Sequence, residues 1–194
     1  MPNWCYTQYR IKGDTNEVQD LHRAIKALSE MKEPLVENGF GPLWLGCLVA
    51  YLGEDWHNIP CRGEILNVSL KEDVLSFDTE TAWYRCTEVE QFLQSKFPSI
   101  SIWFCTEEPG MEIYETNDKD EEFFKKRYIL DEINEGVEYY TFPELQEQLK
   151  KKFGIVFQSY EEARDYLSKH NEEEEENEKS PDVFYLYRFE FTDL

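Results

Sequence analysis

Long apolar runs are missing from this 194-residue chain. No stretch approaches the roughly 20 residues that a bilayer span requires. The opening Met-Pro-Asn-Trp lacks the basic and apolar regions of a signal peptide, so the expected location is the cytoplasm. Histidine is scarce: His22, His57 and His170 are the three, which leaves few candidates for imidazole chemistry. The five cysteines, Cys5, Cys47, Cys61, Cys86 and Cys105, are odd in number and form no Cys-x-x-Cys pair. That pattern argues against a zinc knuckle or dithiol redox motif and for reduced, mostly buried thiols. There is no Gly-rich phosphate loop, no Gly-x-Ser-x-Gly elbow, and no Ser or Cys beside a histidine. Positive charge is in the minority, with 20 Lys and Arg against 41 Asp and Glu, a formal net charge of −21. Such a surface repels phosphate backbones and anionic membranes, so neither direct nucleic-acid binding nor membrane association is expected.

What is present suffices for a core: 41% of residues are hydrophobic and 15% aromatic, so Phe, Tyr and Trp should fill much of it. The chain is organised around residues 62–83. Two runs rich in β-branched and aromatic residues flank the polar turn Lys71-Glu72-Asp73, which predicts a β-hairpin. Parity on its second strand places Leu75, Phe77 and Trp83 in the core.

Before the hairpin, residues 4–12 alternate as a strand. Cys5, Thr7, Tyr9 and Ile11 share one face; Trp4, Tyr6, Gln8 and Arg10 share the other. Gly13-Asp14 turns the chain, and Thr15 is the expected N-cap of a helix reaching about Met31. Its apolar stripe is Val18, Leu21, His22, Ile25 and Leu28. Residues 34–61 read as an insertion with a short helix after Pro42. Its last loop holds Asp55, His57 and Cys61, three mixed ligands with no second cluster, too few for a metal site. After the hairpin, Thr87 is the expected cap of a helix ending at Pro98, and residues 99–106 alternate as another strand.

The order strand, helix, strand, strand, helix, strand is the ferredoxin-like split βαβ arrangement. The fold class expected is α+β: that core over residues 1–117, an antiparallel meander extension, and a small C-terminal α+β part over residues 118–194. In the second part, strands around Asn134-Glu135-Gly136 precede helices over 143–153 and 160–170. The glutamates at 172–176 read as a solvated loop. Residues 183–191 alternate too strongly to hang free and should close the domain as a terminal strand.

A family resemblance joins these observations. Met-Pro-Asn-Trp at the start, Gly13-Asp14, Thr81-Ala82-Trp83 and Glu107-Glu108-Pro109-Gly110 resemble the YubB-like family of ferredoxin-like proteins from plasmids, phages and gut bacteria. The resemblance covers roughly residues 1–117. It implies a fold and a mobile-element neighbourhood, and it implies no activity. The chain departs from the family's pattern before the hairpin, where Trp56, His57 and Cys61-Arg62-Gly63 stand.

Candidate interaction residues lie on the sheet face opposite the helices. Alternation places Tyr6 and Arg10 there from the first strand, and Ser76, Asp78 and Glu80 from the third. Aromatics on such a face resemble an RNA-recognition module in outline, but the aromatic-glycine-aromatic signature is missing and the carboxylates oppose RNA. Asp78 and Glu80 form a carboxylate pair that acid–base chemistry can use, or they bridge to Arg10 or Arg85. The reading is a noncatalytic protein-binding module with an unidentified protein partner, no cofactor and no metal. Two alternatives stay open: an acidic DNA mimic acting on a DNA-binding or restriction protein, and an enzyme using the sheet-face carboxylates.

Overall fold

A computed structural model describes residues 3–176 and 182–193. The chain forms two compact units: one runs to Lys119 and resumes at Phe191, and the other is Asp120–Glu190. Both mix helices with sheet, an α+β class. No helix among the described residues is long and apolar enough to cross a membrane.

The first unit opens with β1 (Trp4–Lys12), whose burial alternates residue by residue with Cys5, Thr7, Tyr9 and Ile11 inward. Helix α1 (Thr15–Ser29) buries Val18, Leu21, Ala24, Ile25 and Leu28, the stripe its 3.6-residue period brings together. Its cap is Asp14 rather than Thr15, because the Asp14 carboxylate accepts from the Asn16 N–H at 2.9 Å. The insertion carries α2 (Leu45–Tyr51), tied to the sheet where the Ile65 N–H donates to the Leu43 carbonyl at 2.9 Å.

Strands β2 (Gly63–Lys71) and β3 (Val74–Ala82) form the hairpin. Glu72 and Asp73 at its tip have φ of 50° and 63°, the left-handed pair that matches strand twist in a two-residue turn. Gly63 is obligatory, since a Cβ there would lie 1.9 Å from the Glu80 carbonyl oxygen. Helix α3 (Thr87–Lys96) begins one residue earlier than expected, with Cys86 as N-cap, and β4 (Ser101–Glu108) and β5 (Ile113–Thr116) follow. A two-residue β9 (Glu190–Phe191) completes the sheet order β2-β3-β1-β4-β5-β9, in which the first five strands pair antiparallel.

Phe77 is 3% exposed and stacks on Tyr9 at 5.1 Å between ring centroids, as its parity requires. Trp83 contradicts the expectation that it joins the core: it is 50% exposed. The strand ends at Ala82, and φ of 72° at Trp83 breaks the alternation that parity assumes.

The second unit is a three-stranded sheet in the order β7-β6-β8, built from β6 (Tyr128–Glu132), β7 (Gly136–Tyr140) and β8 (Phe184–Arg188). Helices α4 (Phe142–Phe153) and α5 (Tyr160–Glu176) bury Leu145, Leu149, Ala163 and Leu167 against Leu130, Phe184 and Leu186. Glu144 accepts from both the N–H and the hydroxyl of Thr141 at the start of α4, and Gly154 at φ 71° ends it.

Two expectations change here. The backbone of the acidic block 172–176 is the last turn of α5, not a loop. Glutamate is a good helix former, and Asn171 anchors the turn by accepting from the Phe184 N–H at 3.0 Å and donating to its carbonyl at 2.8 Å. The rest of the predicted loop, residues 177–181, lies outside the described residues. The C-terminal alternation also divides: β8 joins the small sheet, Phe189 bonds the Arg127 carbonyl at 2.9 Å, and the Thr192 N–H reaches Thr116 at 3.0 Å.

Candidate functional site

The five sheet-face residues come from neighbouring strands, because β1 lies beside β3 with Tyr6 opposite Glu80, Gln8 opposite Asp78 and Arg10 opposite Ser76. Tyr6, Arg10 and Ser76 are half-buried, Glu80 is exposed and Asp78 is buried. The Tyr6 hydroxyl donates to Asp78 Oδ2 at 2.6 Å, and Asn67 Nδ2 donates to the same oxygen at 2.8 Å. Burial, then the Asp78 bond, pushes the Tyr6 phenol up to about 12.

Asn67 is the residue that alternation alone could not find. It sits at a bulge where the β2–β3 register shifts between Leu66 and Ser69, with φ of 52°. An Asn amid a strand pattern, prone to the left-handed region, was the available signal. Arg10 lies opposite Ser76 and Trp103 and donates Nη1 to the Tyr9 carbonyl at 2.8 Å. Arg85 does not serve the sheet-face carboxylates, because its partner is Glu90.

Register adds a second feature. Glu64, Glu80, Tyr6, Glu107 and Tyr114 stand opposite one another in one row across five strands. Two residues along β1, Trp4 is 46% exposed and meets Phe40, 39% exposed, edge-on at 6.3 Å. Trp83 belongs to the same end of the sheet: its N–H donates to the Asn3 carbonyl at 2.8 Å. A bulky aromatic residue at positive φ is a strained arrangement, and such strain gathers at functional positions.

The opposite face holds a buried polar group. The Tyr9 hydroxyl and Arg85 Nη1 both donate to the Glu90 carboxylate, and the Arg85 guanidinium lies 3.8 Å above the Phe104 ring. Burial pushes the Glu90 carboxyl up, against the pull of Arg85 and Tyr9. Burial pushes the Arg85 guanidinium down, and Glu90 more than restores it. Beside them lies a cavity of about 20 Å³ lined by Tyr9, Phe77, Thr79 and Glu90, and the Thr79 hydroxyl has no partner among the described residues. Four residues before Tyr9 on β1, burial pushes the Cys5 thiol up, which disfavours the reactive thiolate. These groups are sealed inside the core and tie α3 to β1.

In the insertion loop, Asp55 accepts from His57 Nδ1 at 2.7 Å, and Cys61 bonds the Ile59 carbonyl at 3.1 Å. Burial pushes the Cys61 thiol up to about 12, which disfavours the thiolate a metal would need. Among the described residues no group of three His, Cys, Asp or Glu could hold a metal ion.

No family model, curated protein or solved structure matches the chain. The site therefore stands on its own geometry.

Proposed function

We propose that this protein is a noncatalytic protein-binding module whose contact surface is the end of the large sheet where β1 begins. The observation that carries this reading is the trio Trp4, Phe40 and Trp83, exposed by 46, 39 and 50% at one end of the sheet. Aromatic side chains, tryptophan above all, supply most of the energy where protein surfaces meet, and clustered exposure of this kind marks contact sites. Tyr6, Arg10, Ser76 and Glu80 continue the surface along the sheet face, while Asp78, which alternation placed there too, is buried and braces Tyr6. The hydroxyl of Tyr6 is already engaged with Asp78, which favours a rigid platform over an acid–base pair.

The order β4-β1-β3-β2 within the sheet supports reading the first unit as ferredoxin-like. The YubB-like resemblance of residues 1–117 supports a setting among mobile elements. Five free cysteines support a reducing, cytoplasmic location.

The DNA-mimic reading has only the net charge of −21 in its favour. The backbone of α5 carries the acidic block as helix, where successive residues point about 100° apart, so their rise does not reproduce a row of phosphates.

Affinity capture with the wild type and a Trp4→Ala/Trp83→Ala variant tests the module. A partner held stoichiometrically by the wild type and lost by a folded variant is the expected result. Equal retention by both proteins would remove the aromatic end as the contact surface.

A further inference from the structure

We infer that the surface at the start of β1 receives an arginine-bearing segment of a basic partner protein, with guanidinium groups over Trp4 and Trp83 and paired with Glu64 and Glu80. This rests on the protein-binding reading and adds the partner's chemistry. Glu64 and Glu80 are direct cross-strand partners, and like charges in that position repel. Tyr6 lies on the other side of Glu80, and Trp4 is its neighbour along the strand. A cation placed there relieves the carboxylate repulsion and gains the attraction of the indole faces at once.

Arginine fits better than lysine. Its planar guanidinium stacks on aromatic rings and pairs two-pronged with carboxylates, whereas ammonium is a strongly hydrated point charge. Other occupants meet repulsion. Nucleic acid and anionic lipid oppose a net charge of −21, and a second copy would bring one acidic row against another.

The test uses labelled nona-arginine and nona-lysine peptides with the full chain, followed by fluorescence anisotropy at several salt concentrations. Nona-arginine should bind more tightly than nona-lysine. Glu64→Gln/Glu80→Gln should weaken nona-arginine roughly fivefold or more, the scale of two partly screened ion pairs. Glu172→Gln/Glu173→Gln on α5 removes the same charge and should leave affinity within about twofold. Equal weakening by both pairs overturns the proposal, because net charge then explains the attraction; so does no arginine preference.

Nuclear magnetic resonance on the wild type gives a readout that needs no variant. The Trp4 and Trp83 indole N–H signals should shift with nona-arginine while that of Trp44, bonded to the Cys61 carbonyl, stays in place. Shifts at Trp44 alone overturn the assignment. Capture of a partner that depends on Trp4 and Trp83 but ignores arginine sinks this inference and leaves the protein-binding reading standing.

Discussion

The Tyr9 hydroxyl donates to Glu90 Oε1 at 2.6 Å, joining the first strand to a helix 81 positions later. Arg85 holds the other carboxylate oxygen, so α3 is fixed on the sheet by a charge that water does not reach. Removing Arg85 strands that charge. Arg85→Met should cost about 3–5 kcal/mol, and Arg85→Met/Glu90→Leu should cost less than the single change. Urea unfolding of the three proteins decides it.

The same carboxyl predicts a pH dependence. Glu90 has a folded-state pKa above its ordinary value, mainly through burial. Its contribution to stability is therefore fully present below the unfolded value of about 4.3 and lost as pH rises through the raised one. The stability gap between wild type and Glu90→Gln should move in the variant's favour from about pH 4 to pH 7. Denaturant midpoints across that window measure it, and a gap independent of pH would show an unperturbed group.

Phe77 and Trp83 share a strand's parity but not its consequences. Phe77→Ala should cost about 3–5 kcal/mol, as buried aromatics do. Trp83→Ala should cost about 1 kcal/mol or less. Trp83→Gly should be at least as stable as Trp83→Ala, since only glycine accepts φ of 72° without strain. Thermal melts of the three variants check both points; a glycine variant markedly below the alanine one would refute the strain.

Tyr6 supplies an alkaline counterpart. Its phenol is pushed up to about 12 by burial and by Asp78, so it contributes stability present below the ordinary tyrosine value of about 10 and lost as pH rises through about 12. Asp78→Asn should lower the Tyr6 titration midpoint toward 10. Ultraviolet titration against Tyr6→Phe isolates that residue, and an unmoved midpoint would mean burial alone sets the shift.

Asn171 bridges α5 to β8 through both Phe184 backbone groups. Asn171→Ala leaves two partners unmet and should cost about 1–3 kcal/mol. It should also speed proteolysis within α5. Unchanged cleavage and stability would mean that helix packing alone holds the last turn.

Much of the architecture was legible because its signals are local. The inward residues of β1, the stripe of α1, the hairpin at Glu72-Asp73 and the helices of the second unit each follow from a period of two or 3.6 in neighbouring residues. Acidity and the five sheet-face candidates are likewise properties of sequence and alternation. Register is not local. That Glu64 faces Glu80, that Asn67 bulges toward Asp78, and that Arg85 chooses Glu90 over the sheet-face carboxylates all depend on how distant strands align. The exposure of Trp83 turned on one backbone dihedral just past a strand's end, where parity ceases to apply. The C-terminal alternation predicted a strand, but which sheet pairs each half was set by the partners available, Tyr128–Glu132 for one part and Thr116 for the other. Composition and periodicity determine the main buried stripes; only the folded chain determines the exceptions, Trp83 and Asp78 among them, and which of the remaining residues meet.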